Sequence, residues 1–385
     1  MFVNMKPDCQ VCSQEPGSAV VLGVSFGGTG SILLWPPSNP RVKAIRLSLL
    51  QTLPLLGSLL AAIPASAEKP IVNETDWKDT TGTPISAHEH FVGRFGGLFY
   101  WYGTSYKGNP FGQCGLEGAP HQNGFNVYRS KNLVDWQYLG ACLRFPKTGF
   151  GSQGTSHRPC VLFNKRTGKY VMWYFYFRKY PDVMLTVASA NSPTGPFTMQ
   201  GLRRSGEEHG WAQDMGAFQD ADGKAYLVYD DGHRNLRVDL LTEDYLDTTR
   251  RSVIALAASS KPGGQYEGAA MAKYKGKYIV AGSGVMGWNP TESSYAVADS
   301  PLGPYSAPRQ MSEKWTWNSQ ISNFLYVGET DTLIALCDQW WMGPAGRNDL
   351  DQSRYLWVPV SFNPATGEAQ MTYRRQWDPF VKPPG

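Results

Sequence analysis

Five times along this chain a short polar turn runs into a stretch of β-branched and aromatic residues. The turns are Arg94-Phe95-Gly96-Gly97, Arg166-Thr167-Gly168-Lys169, Ala221-Asp222-Gly223-Lys224, Tyr274-Lys275-Gly276-Lys277 and Gly328-Glu329-Thr330-Asp331. The stretches are Leu98–Gly103, Tyr170–Tyr176, Ala225–Tyr229, Tyr278–Gly282 and Thr332–Cys337. A turn of this chemistry feeding such a run reads as a hairpin and its inner strand. The copies are spaced roughly 50–70 residues apart, a period that belongs to stacked supersecondary units. Behind several of them comes an outer strand, a polar turn and an aromatic that folds back: Tyr128 to Trp136, Ala188 to Phe197 and Val297 to Tyr305. No long stretch after residue 70 keeps a helical period. The expectation is an all-β chain folded as a five-bladed β-propeller, each repeat one small antiparallel sheet. A two-sheet sandwich would not carry a fivefold, long-period repeat.

The first 67 residues have a different character. Arg41, Lys43 and Arg46 precede an apolar run from Leu47 to Leu60, broken by Pro54, and Pro64-Ala65-Ser66-Ala67 has the small-residue pattern of a signal-peptidase site. The run is too short to span a bilayer comfortably. Residues 42–67 therefore read as a bacterial export signal, residues 1–41 as a disordered extension ahead of the true start, and 68–385 as the folded domain. A secreted or periplasmic protein, free of the membrane after cleavage and monomeric, is expected. Cys9 and Cys12 form a CxxC with no partner pair nearby for a metal or redox site. In an oxidising compartment Cys114–Cys142 is the first disulfide to consider; free buried thiols are the alternative. A net charge of +4 does not argue for nucleic acid. Aromatics at 13%, with 41 Gly and 27 Pro, fit turn-rich β structure and would suit the apolar faces of sugar rings.

Two acids stand at the starts of successive strand units. Asp214 precedes the run into Asp220-Ala221-Asp222-Gly223, and Glu267 opens Tyr266-Glu267-Gly268-Ala269-Ala270. In a propeller the starts of inner strands meet at the central pocket, so carboxylates at equivalent places in neighbouring blades suit shared acid–base work. An Asx turn at Asp214 and a surface Glu267 are the plain alternatives.

From about Asp76 to Phe380 the chain resembles glycoside hydrolase family 43, and within it the exo-β-1,3-galactanase branch. The resemblance rests on Asp79-Thr80-Thr81-Gly82 with Ile85-Ser86-Ala87-His88, on Tyr100-Trp101-Tyr102-Gly103 and on Arg158-Pro159. It continues through Asp214-Met215, Tyr266-Glu267-Gly268-Ala269, Gly287-Trp288-Asn289-Pro290, Ser319-Gln320 and Asp351-Gln352-Ser353-Arg354-Tyr355-Leu356-Trp357. It implies five blades and hydrolysis with inversion, in which one carboxyl protonates the leaving oxygen while a second group aims water at the opposite face. It implies Glu267 as the proton donor and Asp214 as the anion that tunes it. Gln320 would hold the water. No cofactor is required, and a calcium ion on the axis, which some members hold, is left open.

This chain departs from the branch twice. The segment Ala87-His88-Glu89-His90 stands where the branch has a glycine run, so Glu89 is a rival to Gln320 as base; strand alternation would put Glu89 on the face opposite His88 and His90. The resemblance favours His88 toward the pocket. His157 replaces a glutamate that precedes the Arg-Pro pair and contacts the sugar. His88, His90 and His157 lack the further ligands a metal site needs. Arg158 and Arg354 are candidates for binding hydroxyls, and Trp211, Trp288 and Trp340, the last paired with Trp341, for stacking on sugars. Trp136 and Trp173 read as blade packing. The expected partner is an oligo- or polysaccharide. Removal of galactose from β-1,3-galactan leads; an α-L-arabinofuranosidase or β-xylosidase on the same fold, and an inert carbohydrate-binding propeller, are the alternatives.

Overall fold

The computed structural model describes residues 69–106, 124–145, 155–179, 182–207, 211–260, 264–340 and 350–381. Residues 1–68, on which the expected export signal and extension fall, Cys114 and Trp341 lie outside them. Five four-stranded antiparallel sheets, each built from four strands consecutive in the chain, form the blades of a β-propeller. The inner strands are His88–Phe95, Thr155–Asn164, Gln213–Gln219, Tyr266–Tyr274 and Gln320–Val327, in blades 1 to 5. Each touches the next, and the fifth touches the first, so the ring closes. Near the chain ends Ile71–Val72 pairs with Gln376–Trp377. The Asn73 amide donates to the Trp357 and Arg374 carbonyls, which fastens the start of the domain to blade 5.

The five hairpins expected from the sequence are the first two strands of the five blades, but the runs read as inner strands are the second ones, and the residues ahead of each turn form the inner strand. Between blades the core is aromatic. Trp101, Trp136, Trp173 and Trp357 are fully buried, each burial worth roughly 1.5–3 kcal/mol. The fold-back aromatics behave alike: Trp136 donates its indole N–H to the Leu133 carbonyl at 3.1 Å, and the Tyr305 hydroxyl reaches Pro301 O at 2.8 Å. Cys142 is a free buried thiol that donates to Phe125 O. Among the described residues no helix is long and apolar enough to cross a membrane.

One device recurs at the start of every inner strand and was not expected. The register slips between His88 and Phe91, His157 and Cys160, Gln213 and Gly216, Glu267 and Ala270, and Ile321 and Asn323. Each slip is a β-bulge, which bends a strand and re-aims its side chains. In four of them the first extra residue has a left-handed backbone: Glu89 (φ 53°), Arg158 (54°), Asp214 (30°) and Gly268 (68°). By this alignment Asp214 corresponds to Gly268, and Glu267 to Gln213; the two acids sit one position out of step. The bulges also explain two of the glycines that close the sequence runs. A Cβ on Gly103 would lie 2.2 Å from the Ala87 backbone, and one on Gly282 would lie 2.5 Å from Glu267 O.

Candidate active site

The bulged strand starts converge on a cavity of about 280 Å³ to which all five blades contribute. Blade 1 supplies Glu89, blade 2 His157 and Arg158, blade 3 Gln213, Asp214 and His233, blade 4 Glu267 and Trp288, blade 5 Gln320. Phe175 and Phe177 give it an apolar wall.

Glu267 is 5% exposed and held from three sides. Gln320 donates its amide N–H to Oε1 at 3.0 Å, and the His233 ring lies 3.2 Å from Oε2. Asp214 fixes the adjoining backbone, since its Oδ2 accepts the Gly268 N–H at 3.2 Å and an Arg158 N–H at 3.1 Å. Burial, then the Asp214 anion, push the Glu267 carboxyl above its ordinary value, against the pull of His233 and Arg158. Burial works against a charge on His233, but the Glu267 hydrogen bond and the Asp230 and Asp214 carboxylates outweigh it and take the ring up to about 9. Burial likewise drives Asp230 up to about 7. A buried carboxyl pushed upward, beside a second carboxylate and an imidazole, is the arrangement a general acid needs.

These neighbours give two pH effects of opposite sign. His233→Asn removes a cation that holds the Glu267 carboxyl down, so the basic limb of the pH–rate profile is expected to move to higher pH. Asp214→Asn removes an anion that holds it up, so that limb should move lower. The basic limb moving the same way in both variants would contradict its assignment to Glu267.

Gln320 is completely engaged. Its N–H groups go to Glu267 and to Ser283 Oγ at 3.0 Å; its oxygen accepts from Arg158 at 3.0 Å and Trp340 Nε1 at 3.1 Å. The preceding segment, Lys314–Asn318, is a left-handed turn with φ between 51° and 61° at all five residues. Such backbone costs roughly 1–2 kcal/mol per residue. It is held by Thr316, whose hydroxyl reaches Thr291 O at 2.7 Å, by Ser319 Oγ on Thr316 O at 2.6 Å, and by Gln339 on Trp317 O at 3.0 Å.

The two departures at residues 89 and 157 form a single contact. The Glu89 carboxylate lies 2.9 and 3.1 Å from His157 Nδ1 and accepts the Thr104 hydroxyl at 2.9 Å, in the cavity wall. The other His157 nitrogen meets Thr155 Oγ1 at 2.8 Å. The resemblance favoured His88 toward the pocket, but Glu89 faces the cavity and His88 and His90 lie together on the other side, separated from it as alternation expects. His88 is buried, stacked on Tyr355 at 5.1 Å and 3.7 Å from Asp338 Oδ1; His90 shares that carboxylate at 3.3 Å. Asp338 is held well below the ordinary carboxylate range by these two rings despite burial. Among the described residues no group of three or more His, Cys, Asp or Glu is placed to hold a metal ion.

Of the aromatics, Trp288 lines the cavity and Trp340 supports it edge-on, ring centres 4.9 Å apart. Trp211 does not line it; it is half-buried against the core of blades 1–3. Arg354 lies away from it, bound to Asp76 at 2.7 Å on the surface. Sequence reasoning missed His233. It follows Asp230-Asp231-Gly232, just past the run that ends at Tyr229, and Asp230 Oδ1 accepts its N–H at 2.7 Å. The pairing of Asp230 with Gln213 is the signal that could have found it, since that pairing places the turn beside Asp214.

The profile of glycosyl hydrolases family 43 matches residues 83–353, the stretch that holds every one of these cavity groups. The chain belongs to glycosyl hydrolase family 43. It is a glycosidase acting on oligo- or polysaccharide. Among solved structures, the exo-beta-1,3-galactanase of Phanerochaete chrysosporium with galactose is 28% identical (TM-score 0.68) over 80% of this chain and 68% of that one. The exo-beta-1,3-galactanase of Clostridium thermocellum is 27% identical (TM-score 0.68) over 80% of this chain and 67% of its own. A family 43 beta-1,3-galactosidase is 26% identical (TM-score 0.68) over 80% and 63%. No curated protein sequence matches the chain.

Proposed function

We propose that this family 43 enzyme is exported and releases terminal galactose from β-1,3-galactan with inversion. The observation that carries the reading is the setting of Glu267: buried, its carboxyl pushed upward by that burial and by Asp214, and open to a small cavity that fits one terminal sugar. Glu267 delivers its proton to the glycosidic oxygen, and the departing chain leaves through the cavity mouth. An inverting site needs its water-positioning group about 6.5–9.5 Å from the acid. Gln320, which the resemblance implies for that role, instead touches Glu267 at 3.0 Å with its amide fully bonded. We therefore assign the water to the Glu89 carboxylate, held by Thr104 and His157, and give Gln320 the task of orienting the acid. The galactose assignment draws on the three galactan-cleaving structures, and export on the first 67 residues.

A second reading has one observation in its favour. A carboxylate on the first inner strand is what the resemblance implies for many other members of the family, so cleavage of an α-L-arabinofuranoside or β-xyloside is the alternative. Release of reducing sugar from aryl glycosides and from β-1,3-galactan separates them, with the first-formed anomer followed by NMR. Galactose as the sole product, first in the inverted configuration, is expected. Arabinose or xylose would transfer the assignment to the second reading, and no release from any substrate would make the molecule a binding propeller.

A further inference from the structure

Among the described residues only three large hydrophobic side chains are more than half exposed: Trp315 at 64%, Val381 at 60% and Met286 at 59%. Val381 lies near the end of the chain. The other two stand on segments that lead into cavity-lining residues. Met286 immediately precedes Gly287 and Trp288, which line the cavity. Trp315 sits on the left-handed turn that leads into Gln320; its carbonyl accepts the Ser319 N–H, and its own N–H reaches Glu292 Oε1 at 3.4 Å. Thr316 ties that turn to Thr291, at the far end of the loop that carries Trp288. The turn keeps Thr316 buried among hydroxyls while the next-door indole stands in water. Among the described residues that indole has no hydrogen bond or ring contact, and its turn is tied through Thr316 to the loop that carries Trp288.

We propose that Trp315 forms a distal subsite that stacks on sugar rings of the polysaccharide beyond the bond being cleaved. A pocket closed at its inner end receives only the terminal sugar, so the remaining chain leaves across the mouth. An aromatic face at that exit is matched to the apolar faces of pyranose rings, and it fits a β-linked hexose polymer better than a short branch. This inference rests on the glycosidase reading above, and it adds a preference for long substrates.

The test compares Trp315→Ala with wild type on β-1,3-galactan and on β-1,3-galactobiose, which is too short to reach the rim. kcat/KM on the polymer is expected to fall about five- to tenfold, the scale of one stacking contact. On the disaccharide it should stay within about twofold of wild type, which also reports that the variant is folded. Trp315→Phe should recover part of the polymer rate. An equal loss on both substrates, or none on either, overturns the subsite. Should galactose not be the sugar, the same pair is compared as Glu267→Gln and Glu267→Gln/Trp315→Ala by affinity electrophoresis in the polysaccharide that the panel identifies. Unchanged retardation there overturns the proposal independently of the galactose assignment.

Discussion

Glu267→Gln is expected to cut kcat on galactan by about 10²–10⁴-fold, the range that a positioned general acid contributes. The amide keeps the size of the side chain and its contacts to Gln320 and His233, so binding of the sugar should survive. What disappears is the proton. The loss should depend on the leaving group: aryl glycosides that depart without protonation are spared most of it, and poor leaving groups bear it in full. Kinetics across leaving groups of graded acidity check this. Equal losses at both ends would mean that Glu267 binds or supports and does not donate.

The second large effect concerns the water. With Glu89 as its acceptor, Glu89→Gln should be nearly inactive, and the acidic limb of its pH–rate profile should flatten, because that limb reports a base that must be ionised. Gln320→Ala should lose activity for a different reason. It removes one of the hydrogen bonds that orient Glu267 and leaves the Arg158 and Trp340 donors beside it without their acceptor. Its acidic limb should therefore persist. The opposite pattern, a nearly dead Gln320→Ala and a Glu89→Gln close to wild type, would return the water to Gln320. The 3.0 Å contact between Gln320 and Glu267 would then have to open when the sugar binds. That outcome would leave the acid untouched and would move only its partner.

Much of the architecture can be read locally. A turn followed by a β-branched run is a short-range signal, and five copies of it at a blade-sized period leave few folds available. Glu267 and Asp214 were equally legible, because each stands at the start of an inner strand and the starts of inner strands meet on a propeller's axis. Their exact correspondence was not. The alignment of the bulges pairs Asp214 with Gly268, so Asp214 reaches the acid through the Gly268 N–H and the Arg158 guanidinium instead of occupying a matching slot.

What the residues alone determined was the repeat, the aromatic core and the placement of Glu267 and Asp214 at the starts of inner strands, since each depends on patterns within a few residues of one another. The tertiary structure decided which side chains face the sugar. Period-two alternation separates Glu89 from His88 and His90 but does not say which face meets the cavity; with a left-handed bulge at Glu89 its carboxylate enters the cavity and both neighbouring histidines meet Asp338. Nothing in a non-glycine residue announces such a φ. His233 became a partner of Glu267 only because an Asp-capped turn in blade 3 leans across to blade 4. Arg354 was lost to the site because its carboxylate partner, Asp76, lies at the other end of the chain. Contacts between blades depend on closing the ring, and no local pattern carries that information.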